Sequence, residues 1–255
     1  MPMRILPWLF CLLPLLLSAQ RRPAYTPQRD NSGAVLLISP SYGAHSSGED
    51  LAQRFGNKFS TGGSVDYMLA SNFIIGTQSM LFFGSNVKTD VLASLRDSEG
   101  LIFGDGGGIA EVRLRERGFY LGGHVGKVFP LAFTKARSGL RVTFGGGFLQ
   151  HKIRIQDDPQ VYVSQLSGDY KKGYDRLSNG WAITQFTGYQ YLSANRLINF
   201  HVGLEFTAGF TESRRSYNFD MRSAETDRRI DLYSGIRLAW TLPLYVGENA
   251  DEIRY

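Results

Sequence analysis

INFHVGLEFTAGF, residues 198–210, alternates bulky and small or polar side chains along its whole length. In an extended chain Ile198, Phe200, Val202, Leu204, Phe206, Ala208 and Phe210 share one side, and Asn199, His201, Gly203, Glu205, Thr207 and Gly209 share the other. A period of two predicts a β-strand with one apolar face. Which face meets solvent decides the fold: a soluble barrel or sandwich turns the bulky side inward, and a membrane barrel turns it outward to lipid.

The same alternation recurs at 34–45, 59–69, 73–83, 109–131, 140–155, 181–192 and 229–245, which makes eight strands if 109–131 is one long strand. Counting from the first strand, odd-numbered links are long (46–58, 84–109, 156–180, 212–228) and even-numbered links are short (70–72, 132–139, 193–196). Long loops at one end and tight turns at the other are the pattern of an outer-membrane barrel with its turns in the periplasm. A break at Arg115-Glu116-Arg117-Gly118, with an added strand near Leu101 to Phe103, gives ten strands and is the alternative count.

Size selects the wet face. One side carries Phe59, Tyr67, Phe73, Phe83, Phe119, Phe129, Phe144, Phe148, Phe200, Phe206, Phe210 and Trp240. The other carries glycines, among them Gly43, Gly62, Gly122, Gly145, Gly203 and Gly235, with polar residues between them. An eight-stranded barrel holds only modest side chains, so that aromatic set has to point outward and the glycine and polar set inward. A lipocalin-like soluble barrel needs the reverse. The expected class is all-β, an eight-stranded antiparallel up-and-down transmembrane barrel.

The rest of the chain is consistent with export. MPMRILPWLFCLLPLLLSAQ places Arg4 before the apolar run Ile5 to Leu17 and ends in Ser18-Ala19-Gln20, the form of a cleaved signal peptide over 1–19. A flexible lead-in is expected over 20–33, the barrel over 34–245 and a periplasmic tail over 246–255. The one cysteine, Cys11, falls in the leader, so the mature chain of about 235 residues has no disulfide and no thiol nucleophile. With 29 glycines and 13% aromatic residues the composition favours an exported β protein. A net charge of +5, scattered through loops, forms no nucleic-acid stripe.

Glycine followed by spaced apolar residues and a late aromatic in YSGIRLAWTLPLY, 233–245, resembles the terminal-strand signal read by the outer-membrane assembly machinery. Over 34–245 the chain resembles the small outer-membrane β-barrel families typified by OmpA and OmpX, and within them the barrel-domain proteins of the Bacteroidetes that include PorT-like proteins. The resemblance implies a Gram-negative outer-membrane protein surrounded by lipids and lipopolysaccharide and inserted by the barrel-assembly machinery.

Two groups of residues are candidate sites. A lumen polar network is expected from Asp66, His124, Arg141, His201, Glu205, Asp231 and Arg237, with His151 near it. Glu205 and Arg237 fall at nearly matched distances from their shared loop and should pair. A hydrogen-bonded plug is the plain reading of this set, and a proton or ion path the sharper one. The outer loops offer Tyr162, Tyr170, Lys171, Lys172, Tyr174, Arg214 and Arg215 for contact with protein or with anionic sugar and phosphate groups. Val91, Leu92 and Leu95 sit at helical spacing in VKTDVLASLRD, 87–97, and suit a short helix over the mouth. GDGGG, 104–108, lacks the lysine and helix of a phosphate loop.

No metal spacing, cofactor motif or catalytic set is present, and no enzymatic role is expected. A lipid A-modifying enzyme is the alternative, with His45 beside Ser46 and Ser47, or His151, as its rim candidates. A small channel is another. The expected function is a structural or interaction role in the cell envelope, through the outer loops or as a subunit of a larger envelope or secretion complex.

Overall fold

A computed structural model of the chain describes residues 33–131, 137–193 and 196–246. The leader, almost all of the lead-in and almost all of the tail lie outside them.

Eight antiparallel strands close into a ring: β1 (Ala34–Gly48), β2 (Lys58–Met68), β3 (Phe73–Gly84), β4 (Arg113–Pro130), β5 (Gly139–Gln156), β6 (Ser178–Leu192), β7 (Asn199–Ser213) and β8 (Arg229–Trp240). Beyond Thr241, β8 continues as Leu242–Val246, and both pieces pair with β1: Ser41 opposes Ala239, and Ala34 opposes Val246. That pairing closes the ring where the eight strands overlap, as a structure in hydrocarbon requires. Among the described residues no helix is long and apolar enough to cross a membrane.

The long segment 109–131 is one barrel strand from Arg113 to Pro130, which settles the count at eight. Ile102–Phe103 is a strand, but it pairs with Ile109–Ala110 in a small hairpin within the loop, apart from the ring. GDGGG is that hairpin's turn, with Gly107 at φ +77°. At the opposite end, the 69–72 turn is closed by Asn72 donating to the Leu69 carbonyl at 2.9 Å, with Asn72 at φ +63°, a conformation asparagine tolerates.

The opening stretch is β7 and keeps its expected sides: Leu204, Phe206 and Phe210 are exposed on the outer face, and Asn199, His201, Glu205 and Thr207 are buried. Across the wall, Phe59, Phe73, Phe129, Phe144 and Trp240 also face out. From Phe129 up to Phe119, β4 climbs about 33 Å at about 3.3 Å per residue. Tilted by about 40°, that is about 25 Å of height, the apolar band of an outer-membrane barrel.

One part of the size argument needs correction. Phe82, Tyr120, Phe186 and Tyr233 are buried inside, so the interior is not confined to glycine and polar groups. The glycines are what admit these rings. Gly188 and Gly203 oppose each other across β6 and β7, and a Cβ on Gly188 would meet Phe186 Cζ at 2.8 Å. Two small walls leave the width that one flat ring fills.

Two apolar clusters sit at the barrel's ends. On the short-turn side Val35, Leu37, Met68, Ile74, Val128 and Leu192 form a floor with Tyr245 against it. On the long-loop side β4 and β5 run well past their neighbours, and Ile153 and Ile155 join Leu51, Phe55, Val91, Leu92 and Leu166 in a core roofed by the loops. Residues 87–97 do lie over the mouth, with Val91 and Leu92 fully buried, but the helical piece is a 3-10 turn at Ala93–Leu95. The α-helix of the mouth is instead Glu49–Arg54, in the first loop.

Candidate functional site

The lumen is organised in layers above the apolar floor. In the first, Asp66 on β2 accepts from Arg141 on β5 at 2.7 Å and from Ser64 at 3.0 Å, and its other oxygen lies 2.7 Å from His124 Nε2 on β4. Arg141 also donates to Gln190 at 3.0 Å. Beside this layer Arg237 and Glu205 form an ion pair at 2.8 Å on the diagonal, two residues off direct opposition, since Glu205 faces Gly235 and Arg237 faces Gly203. Arg237 reaches across to Gln78 on β3 at 2.9 Å and lies over the Phe186 ring at 4.5 Å. His201 stands edge-on to Phe186, with its Nδ1 3.5 Å from the Thr241 hydroxyl.

A second layer lies toward the loops. Asp231 takes hydrogen bonds from Thr211 at 2.5 Å and Arg229 at 3.3 Å, and it is 2.7 Å from His151 Nε2. Lys58 on β2 pairs with Glu116 on β4 at 2.5 Å, and its ammonium sits 4.2 Å from the centre of the Tyr233 ring. Tyr233 stacks on Phe82 at 4.6 Å. Every buried carboxylate here has a cation or histidine against it, the arrangement under which charges persist in a low dielectric.

Asp66, His124 and Arg141 thus meet in one cluster, Glu205 and Arg237 pair beside it, His201 stands next to that pair, and Asp231 belongs to the upper layer with His151. Lys58, Glu116, Gln78 and Gln190 complete these groups, and sequence reading missed them. Glu116 was legible by parity: it alternates in step with Tyr120 and His124, and was obscured by lying in a charged run that looked like a turn.

The mouth is a second charged assembly, built from loops. Glu225, between β7 and β8, receives Arg54 of the helix, Arg176 at 3.3 Å and Arg229 at 3.4 Å. Arg176 also holds Asp220 at 2.5 Å, and Arg54 donates to Ser178 at 3.1 Å. Asp50 fixes the first loop to the last by accepting from the Ile230 amide at 2.9 Å. Burial alone would raise the Glu225 carboxyl, but the guanidiniums of Arg54, Arg176 and Arg229 hold it below its ordinary value. Arg54 is lowered chiefly by burial and then by Arg229, and Glu225 offsets part of that shift.

The loop residues singled out for contact divide. Tyr162 and Tyr170 expose most of their rings, Tyr162 with its hydroxyl 3.1 Å from Ser167 and Tyr170 near Phe219. Lys171 is paired with Asp157 and Lys172 with Asp169, at 2.7 and 2.6 Å. The Lys171 hydrogen bond lowers the Asp157 carboxyl. Arg215 is paired with Asp175 at 2.6 Å, a bond that raises the guanidinium, and Arg214 donates to Asn179 at 2.5 Å. Tyr174 is not available for contact: it is buried edge-on against Phe219 at 5.2 Å, because its apolar ring completes the core under the loops.

The rim serine and histidine candidates do not assemble outside the wall. His45 turns into the lumen, where Nε2 lies 2.8 Å from Ser60 Oγ, and both side chains are buried. Ser46 and Ser47 bond instead to Asn57 and the Gly56 carbonyl, both at 3.0 Å. His151 points inward to Asp231. Among the described residues no group of three His, Cys, Asp or Glu side chains is gathered to hold a metal.

No family model and no curated protein matches the chain. Among solved structures it is similar to Ail, the attachment invasion locus protein of Yersinia pestis, at 11% identity and a TM-score of 0.40, over 82% of this chain and 99% of that one; that structure is a complex with the heparin analogue sucrose octasulfate. It is also similar to outer membrane protein W of E. coli, at 12% identity and a TM-score of 0.31, over 82% of this chain and 98% of that one.

Proposed function

We propose that this chain is an integral outer-membrane protein of a Gram-negative envelope that acts by contact rather than by transport, with the long loops outside and the short turns in the periplasm. The observation that carries this reading is the contrast between a lumen filled at every level and a mouth braced into a stiff platform. An apolar floor, the Asp66 and Glu205 layer and the Phe82 and Tyr233 rings occupy the bore in turn. Above them the Glu225 cluster ties three loops together and leaves Tyr162 and Tyr170 outward. A rigid surface with exposed aromatic rings loses little conformational freedom when it binds.

The partners in this proposal are outer-membrane lipids and lipopolysaccharide, the barrel-assembly machinery during insertion, and a larger envelope complex, with the kinship to PorT-like proteins as part of the same proposal. A catalytic role is no part of it: among the described residues the serine and histidine that meet, Ser60 with His45, lie inside the wall and away from lipid.

Affinity purification of the full chain from envelopes in mild detergent tests the reading. A partner recovered in fixed ratio, and lost when Tyr162 and Tyr170 are both replaced by alanine, is the expected result. Recovery of the chain alone, together with planar-bilayer conductance steps that vanish in Glu205→Gln or Arg237→Gln, would replace contact with a channel.

A further inference from the structure

The outer wall carries a charged feature that neither the lumen nor the mouth uses. Arg115 and Arg117 on β4 alternate in step with Phe119, and Lys152 and Arg154 on β5 in step with Phe148, so all four cations point away from the barrel. Register sets Arg117 directly opposite Lys152 and Arg115 directly opposite Arg154. Like charges so placed repel and weaken a sheet. Among the described residues none of the four is ion-paired: Arg115 donates to Gln156 at 3.0 Å and Arg117 to the Glu116 carbonyl at 2.7 Å. The nearby carboxylates are engaged elsewhere, Glu116 with Lys58 inside the barrel and Glu111 with Arg113.

The strip's Arg117 and Lys152 share a groove of about 440 Å³ on the wall with Leu81, Phe83, Phe119 and Gln150, and register sets Leu81, Phe119 and Gln150 one pleat toward the short turns from Phe83, Arg117 and Lys152. Arg117 lies about 7 Å and Arg115 about 13 Å along the strand above Phe119. These cations therefore stand just past the apolar stretch of β4 that ends at Phe119, on the long-loop side.

We propose that this strip binds the phosphate groups of a phosphorylated glycolipid of the outer leaflet, with an acyl chain lying along Leu81 and Phe119. A dianion set between Arg117 and Lys152, and between Arg115 and Arg154, turns two cross-strand repulsions into bridges. Guanidinium groups match phosphate geometry and the lysine adds a point charge. The apolar groove beneath selects a lipid over a free anion. This inference rests on the outer-membrane placement with the long loops outward, and it supplies that reading with a defined lipid contact.

Lipid retention tests it. The full chain in mild detergent is offered a bisphosphorylated lipid A-type glycolipid, the same lipid after phosphatase treatment, and inorganic phosphate, and bound species are read by native mass spectrometry. The expected result is retention of the phosphorylated lipid about tenfold above the dephosphorylated one, and an about tenfold loss in the triple variant Arg117→Gln, Lys152→Gln, Arg154→Gln. Arg96→Gln, which removes a half-buried loop cation paired with Asp90, should leave retention unchanged. Equal retention by the native chain and the triple variant, both showing the heat-modifiable migration of folded barrels, overturns the wall site and leaves the envelope placement standing. Complete displacement of the glycolipid by inorganic phosphate overturns the lipid as occupant. A chain that does not insert into vesicles at all removes the placement and the site with it.

Discussion

Leu204 and Ile236 face outward from the barrel wall while Asp66, Arg141 and Glu205 face its axis; in the roof over the mouth Leu51, Val91 and Leu92 face inward and Lys172, Asp169 and Arg228 face out. The wall is built for a hydrocarbon solvent and the roof for water, although the same strands β4 and β5 run through both. Along β5 the inward positions pass from polar Arg141 and Thr143, through Leu149 and His151, to apolar Ile153 and Ile155. The inversion marks where the surroundings change, because each region hides whichever groups its own solvent rejects.

Of the changes that would break this contrast, the largest single effect belongs to the axis of the wall. Asp66→Ala strips the carboxylate from Arg141 and His124 and leaves a buried guanidinium with only Gln190. Removal of one partner from a buried pair costs about 3–5 kcal/mol. The expected outcome is a lower midpoint in urea unfolding from vesicles. Asp66→Asn combined with Arg141→Gln should recover much of it, since neither charge then remains.

A smaller effect follows from reversing polarity at a lipid-facing position. Leu204, midway along β7 and opposite Ile236, is exposed on the belt. Leu204→Arg places a cation against hydrocarbon and should destabilise the inserted barrel by about 2–4 kcal/mol. The same substitution at Leu92, fully buried under the loops, should open the roof to protease and leave the barrel's urea midpoint near its native value. A shift of the whole barrel by Leu92→Arg would show that wall and roof are one cooperative unit.

How much of this was legible follows the same division. The wall repeats with period two, so β7, and with it the side on which Glu205 and His201 lie, could be read from 198–210 alone. Glu205 and Arg237 were within reach because a hairpin's register relates nearby positions. Asp66 meeting Arg141 was not: β2 and β5 are distant in sequence and face each other across the lumen, and alternation carries no information on such a meeting. The roof has no period at all. Tyr174 looked like a contact residue because tyrosine beside lysines resembles an interface, and only the packing of the β5–β6 loop against Phe219 of the β7–β8 loop turns it inward. Arg54 with Glu225 joins the first loop to the last, a pairing no local pattern announces.

The smallest effect tests how the roof is held. Glu225 is the carboxylate that Arg54, Arg176 and Arg229 share, so Glu225→Gln leaves three guanidiniums together without it and should loosen the loops by about 1–3 kcal/mol. Increased proteolysis of the loops, with the β-barrel's circular dichroism unchanged, reads that loss. Acid should mimic the substitution. The folded carboxyl titrates below its ordinary value of 4.5, so its contribution is fully present above that pH and disappears as pH falls through the lower, folded value. Loop protection should therefore hold between pH 7 and pH 5 and fall only in stronger acid, and Glu225→Gln should flatten that part of the profile. An identical acid response in the native chain and the variant would move the roof's fastening from Glu225 to another of its carboxylates, such as Asp220 or Asp175, or to the apolar core beneath.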